Sequence, residues 1–158
     1  MVEQHFCKVT VVGSNPSGGS WQFKSIIMHT KLKGDIGELI VAKILLQKNW
    51  HISFPYGENL KYDLIAEKNG IMKRIQVKTT MPKNGVLHIN CRSSNNWSVH
   101  HYKSTDFETL AAVDLSNDKV YFIPSEKMGR NLINLRLKAT KNSQNKKINF
   151  AKDFKNFY

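Results

Sequence analysis

The sequence predicts an α/β fold, a central mixed β-sheet of four or five strands flanked by helices. Three observations carry this. From Leu32, apolar residues recur at helical spacing. Later stretches are short, apolar or alternating, and are separated by Gly, Pro, Asn and Asp, the pattern of strands and turns. The 158 residues, 41% of them hydrophobic, suffice for one domain with a real core and not for two large ones.

Residues 1–27 hold one possible strand, Cys7 to Val12, followed by Gly13-Ser14-Asn15-Pro16-Ser17-Gly18-Gly19-Ser20. That composition is a linker's, and without a following Lys-Ser/Thr it is no phosphate loop. The helix comes next, with Ile36, Leu39, Ile40, Val41, Ile44 and Leu45 as its apolar stripe and Asp35 in the first turn, where a negative charge suits the dipole. Gly34 and Gly37 each weaken a helix by about 1 kcal/mol relative to Ala. A close approach to a sheet or to nucleic acid accounts for them. Glu38 lies five residues before Lys43, so the two are not a helical i,i+4 pair.

Asn49 to Phe54 reads as a helix end and an edge strand, and Pro55 to Asn59 as a loop in which Tyr56 and Asn59 suit either a backbone contact or a turn. Residues 60–80, LKYDLIAEKNGIMKRIQVKTT, are two strands about an Asn69-Gly70 hairpin turn. Leu64, Ile65 and Ala66 bury the first strand, and Ile71, Ile75 and Val77 the second. Gln76 and Lys78, two apart, leave the same face, and the hairpin sets Asp63 opposite them. After the turn Met81–Gly85, Val86 to Cys91 is a strand with Leu87 and Ile89 on one face. Residues 92–105 are polar with scattered aromatics, a loop in which Trp97 and Tyr102 are either a lid or stacking partners. His100 and His101 are adjacent and face opposite ways on a strand, so they are no metal pair. Leu110 to Leu115 is a buried strand that returns as Lys119–Ile123, with Asp106 and Phe107 ahead of it. Pro124 ends that strand and Ser125 caps a short helical turn through Met128. Ile133, Leu135 and Leu137 alternate as in an edge strand, and Phe150, Phe154 and Phe157 suit a short helical tail.

The chain carries 24 Lys and Arg against 12 Asp and Glu, a formal charge of +12. So strong a surplus points to a polyanionic partner. Candidate contacts to phosphates or base edges are Arg92, Asn95, Asn96 and Lys103, then Arg130, Arg136, Lys138 and Lys141 in a C-terminal stretch whose basic residues face the single Asp153. Cys7 and Cys91 form no disulfide framework. No apolar run is long enough to span a membrane, and no signal-peptide core precedes the helix. The expected location is cytoplasmic, a prokaryotic cytosol or an organelle interior.

The spacing Asp63-x12-Gln76-x-Lys78, with Glu38 on the preceding helix, resembles the PD-(D/E)XK nuclease superfamily. The span from Leu32 to Thr80 is most similar to its intron-encoded homing endonucleases (group I intron, cyanobacterial-type), and it also resembles the archaeal-type Holliday junction resolvases. The resemblance implies a PD-(D/E)XK restriction-endonuclease-like core and a catalytic set of Glu38, Asp63, Gln76 and Lys78. The implied cofactor is Mg²⁺, with Mn²⁺ as a substitute, held by Asp63, Gln76, the Val77 carbonyl and Glu38, directly or through water. Lys78 would hold the phosphate or the attacking water. Gln76 stands where the superfamily usually has an acid, a departure that suits the homing subgroup and lowers the site's negative charge by one. The implied activity is site-specific cleavage of double-stranded DNA. The alternatives are a junction resolvase and a non-catalytic DNA-binding module with a decayed site. One active site per chain and two strands to cut imply a homo-oligomer, a dimer or a dimer of dimers, with no membrane partner. Residues 28–158 would then be a single nuclease domain. Gly-Ser-Asn-Pro is also the in-frame reading of GGTTCGAATCC, the common T-arm sequence of tRNA genes. Residues 1–27 are accordingly expected to be a disordered or mis-annotated extension, with Met28 as the start.

Overall fold

Asn69 and Gly70 adopt φ of 53° and 77°, the left-handed turn that keeps two paired strands twisting correctly. They join β2 (Leu64–Lys68) to β3 (Ile71–Thr80), antiparallel, with Leu64 opposite Ile75. The computed structural model describes residues 29–57, 59–94, 98–139 and 146–158. In it β1 (His51–Ser53) pairs with β2 as the expected edge strand. On the other side β7 (Thr109–Asp114) runs parallel to β3, and β8 (Lys119–Pro124) closes the sheet antiparallel to β7. The result is a mixed five-stranded sheet, β1-β2-β3-β7-β8.

Both faces of that sheet are covered, which is why every residue of β7 is buried. On one face Ala111, Val113, Ile75 and Val77 meet Val41 and Leu45 of α1 (Thr30–Leu46). On the other, Leu110 and Ala112 meet Leu87 and Ile89 of β4 (Val86–Asn90) and Ile133 and Leu135 of β9 (Leu132–Arg136). β4 and β9 form a separate antiparallel ribbon. Each fully buried Leu, Ile or Val contributes about 1.5–3 kcal/mol relative to exposure, so both layers are needed.

Several local expectations are corrected. α1 begins at Thr30, so Asp35 falls in the second turn and no acid occupies the first. Its buried stripe is Gly37, Val41, Ala42 and Leu45, while Leu39 is 62% exposed. Ile71, at the turn end of β3, is 58% exposed because the core lies at the strand's other end. The stretch 92–105 contains a hairpin, β5 (Arg92–Ser94) with β6 (Val99–His101), where a loop was expected. Ser125 is the first residue of a 3-10 turn and caps nothing; its hydroxyl donates to the Ser104 carbonyl. The C-terminal helical layer is one 3-10 turn, Ala151–Phe154, and the ribbon does the covering instead. Phe157 still anchors the tail, edge-on to Trp50 at 4.8 Å and against Phe122 at 5.0 Å. The expected extension over 1–27, with Cys7, lies outside the described residues, as do Asn95, Asn96, Trp97 and Lys141. Among the described residues no helix is long and apolar enough to cross a membrane.

Gly37 explains how close α1 lies to the sheet. A Cβ there would stand 2.3 Å from Thr79 Cγ2 and 3.4 Å from Val77 Cγ1. At Gly34 a Cβ would meet no protein atom within 4 Å, so close approach to the sheet accounts for only one of the two glycines. Gly37→Ala gains about 1 kcal/mol of helix propensity but overpacks a contact, at about 1–3 kcal/mol. The expected result is a lower melting temperature together with slower catalysis, since Glu38 follows directly. A variant that melts higher and keeps full activity would show that the contact is slack.

Candidate active site

The register of the central hairpin creates the site. Pairing between β2 and β3 stops at Leu64–Ile75, while β3 runs on to Thr80 with only β7 beside it. Val77 therefore turns an N–H and a carbonyl towards an edge with no strand to satisfy them, and buried backbone groups must find partners. Asp63, the residue before β2, supplies one. Its Oδ2 accepts from Val77 N at 2.6 Å and from Gln76 Nε2 at 2.5 Å. The same Gln76 amide nitrogen donates to the Val77 carbonyl at 3.2 Å.

Glu38 reaches this edge from α1. Its carboxyl is pushed up to about 7, first by burial, then by the charge of Asp63 and that of Asp35. Asp63 is also held above the usual carboxylate range, because burial outweighs the Val77 N–H, the Lys78 ammonium and the Gln76 amide that favour its charge. Lys78 leaves the same face of β3 as the buried Gln76. Its ammonium lies 5.1 Å from the centre of the Tyr102 ring, which packs edge-on against the buried Phe107 at 5.2 Å. Such a cation–π contact contributes about 0.5–2 kcal/mol and aims the lysine without neutralising it.

Asp63, Gln76 and Lys78 open into a cleft of about 450 Å³, lined also by Asn59, Lys61 and, from the small hairpin, Ser93, His100 and Tyr102, whereas Glu38 is not among its lining residues. His100 Nε2 stands 3.5 Å from Asp106, whereas His101 turns away to the Arg130 carbonyl. The opposed directions expected of the two histidines hold. Sequence reasoning passed over His100 as a cleft wall and left Tyr102 between a lid and a stacking partner. Their two-residue spacing was the available signal, hidden by reading the stretch as a loop. Of the expected DNA contacts, Arg92, Lys103, Arg130 and Lys138 are exposed and Arg136 is half-buried.

Burial opposes the ionisation of both Glu38 and Asp63, and the charge of Asp63 adds to it at Glu38; a bound cation would favour the ionised form of each. The available donors are the carboxylates of Glu38 and Asp63 and the Val77 carbonyl, all oxygen, as a hard divalent ion prefers. Among the described residues no three His, Cys, Asp or Glu side chains gather as a ligand set, so a cation held here would also draw on backbone and amide oxygens. Gln76 presents its nitrogen to Asp63; a half-turn of the amide exchanges nitrogen for oxygen.

One helix against a mixed sheet, with a hairpin that parts from its neighbour at the strand carrying Gln76 and Lys78, is the core architecture of the restriction-endonuclease-like fold. The profile of the family described as PD-(D/E)XK endonuclease matches residues 28–157, and the chain belongs to that family. Membership implies a DNA substrate, and the family generally works with divalent cations. Among solved structures the chain is similar to the bacterial homing endonuclease I-Ssp6803I, with 28% sequence identity and a TM-score of 0.60 over 74% of this chain and 83% of that one. Comparison with curated proteins returns no match.

Proposed function

We propose that the protein is a Mg²⁺-dependent, site-specific endonuclease of the homing type, cutting double-stranded DNA as a homo-oligomer. The observation that supports this best is the junction of Asp63, Gln76 and Val77 at the open edge of β3, with Glu38 and Lys78 beside it. The similarity to I-Ssp6803I, a homing endonuclease, favours that type of nuclease over a junction resolvase. A divalent ion at such a site supplies charge for the scissile phosphate and lowers the pKa of a bound water. Asp63 and Glu38 are its expected holders, with the Val77 carbonyl and the Gln76 amide oxygen completing the protein's share; Mn²⁺ would serve as well. Lys78 binds a non-bridging phosphate oxygen and stabilises the charge that develops there. Tyr102 keeps the ammonium on that line. The exposed cations Arg92, Lys103, Arg130 and Lys138, with Arg136, bind the backbone and fix the duplex over the cleft. Asn95, Asn96 and Lys141 are proposed for the same work on sequence grounds. With one such site per chain among the described residues, cutting both strands calls for at least two chains.

The test is cleavage of linear, supercoiled and four-way-junction DNA carrying the intronless form of the gene around this reading frame. Mg²⁺-dependent cutting at one position of the linear duplex is expected. Cutting confined to junctions would make the protein a resolvase, and binding without cutting in Mg²⁺ or Mn²⁺ would make it a non-catalytic module.

A further inference from the structure

We infer that the outer face of the β4–β9 ribbon is a base-reading surface for double-stranded DNA, with His88 and Asn134 as the residues that read one base-pair edge. This rests on the endonuclease reading above and adds where its sequence preference resides.

The ribbon has two unlike faces. Leu87, Ile89, Ile133 and Leu135 are buried against the sheet. The alternate positions face solvent in register: Val86 opposite Arg136, His88 opposite Asn134, and Asn90 opposite Leu132. His88, Asn90 and Asn134 are exposed, although nothing in catalysis or packing calls on them. A two-stranded ribbon is a shape the major groove of B-DNA admits.

The central pair is already organised. His88 Nδ1 and Asn134 Oδ1 are 2.7 Å apart. With Asn134 Oδ1 as the acceptor, Nδ1 carries the hydrogen, and in the neutral imidazole Nε2 is then left as an acceptor. Asn134 keeps its two N–H donors. An acceptor and a donor held side by side complement adenine in the major groove, which offers the N6 amino group as donor and N7 as acceptor. Fixing both side chains before binding removes part of the ordering cost.

The surroundings match DNA. The groove over this face has a volume of about 520 Å³ and is flanked by Lys127, Arg136 and Lys147, and among the described residues no acid lines it. The surface is also continuous with the active site. Gln76 and Lys78 lie opposite Leu110 and Ala112 in register and so share the sheet face that the ribbon covers. Thr80, two residues beyond Lys78, donates its hydroxyl to the His88 carbonyl at 3.1 Å. At roughly 3.3 Å per residue Thr80 lies about 7 Å along the strand from Lys78, and the ribbon is one hydrogen bond, 3.1 Å, beyond it. The base pair it reads should therefore lie within about half a helical turn, roughly five base pairs, of the cut.

The experiment is selection of cleaved sites from a randomised duplex pool with Mg²⁺, using the wild type, His88→Ala, Asn134→Ala and Asn134→Asp. In the wild type one position near the cut should favour A. Both alanine variants should weaken that preference by roughly 5–150-fold, the range for a bidentate contact, and leave the rest of the consensus and the cutting rate on permissive sites unchanged. Asn134→Asp, which accepts without donating, should move the preference towards C. A wild-type consensus that all three variants reproduce overturns the inference alone. Equal loss of cutting at every sequence in the alanine variants overturns it too. A wild type with no consensus overturns the proposed site specificity, and the inference falls with it.

Discussion

Asp63→Asn is expected to lower the rate of DNA cleavage by roughly 10³-fold or more, at the upper end of what losing one transition-state contact does, and to leave the fold intact. The asparagine oxygen can still accept from Val77 N and Gln76 Nε2, the two bonds that Asp63 Oδ2 makes now. What disappears is the negative charge. Asp63→Ala would lose both, and leaving a buried N–H unpaired destabilises by about 1–3 kcal/mol, so the asparagine variant is the cleaner test. Lys78→Ala should cost roughly 10²–10³-fold through the phosphate, with a smaller effect on stability because Lys78 is only half-buried. Single-turnover cleavage beside DNA affinity in Ca²⁺ separates the two steps. Both variants should bind DNA and fail to cut it. An Asp63→Asn protein that cuts within tenfold of the wild type would remove this site from the chemistry.

Much of this was legible in the sequence because the decisive features are local. Asn69-Gly70 fixes the turn, the turn fixes the register, and the register sets Asp63 beside Gln76 and Val77. Glu38 was legible only through the resemblance, since nothing on a helix announces that one glutamate faces a sheet edge. What could not be read is non-local. Leu87, Ile89, Ile133 and Leu135 alternate like any half-buried strands, and their pairing across more than forty residues into a ribbon is a tertiary outcome. Leu39 shows the same limit. Ile36, Leu39 and Ile40 have helical spacing, yet Gly37 at the contact with Thr79 draws the buried stripe to its own side and leaves Leu39 in solvent.

Mg²⁺ is expected to stabilise the protein increasingly as pH rises from about 5 to 8, and Glu38→Gln to remove much of that dependence. Glu38 has a folded-state pKa of about 7 against an ordinary value of 4.5, so the folded chain holds its proton more tightly than the unfolded chain does. Stability is then complete below about pH 4.5 and declines as pH rises to about 7. Asp63, also raised, adds in the same direction. A cation held by both carboxylates reverses the sign, because it binds the ionised forms. At a hundredfold excess over its Kd it would add about 2.7 kcal/mol, a melting shift of roughly 5–10 °C for a chain of this size. Without metal, Glu38→Gln should melt higher than the wild type at pH 8 and equal it near pH 4. With metal it should gain less. Gln76→Glu adds a third acid and should do the opposite on both counts, less stable at pH 8 without metal and more strongly stabilised with it. Melting curves across pH, with and without Mg²⁺, need no DNA and no turnover. Wild-type and Glu38→Gln curves that stay parallel from pH 4 to 8 would mean that Glu38 is solvated and takes no part in holding a cation.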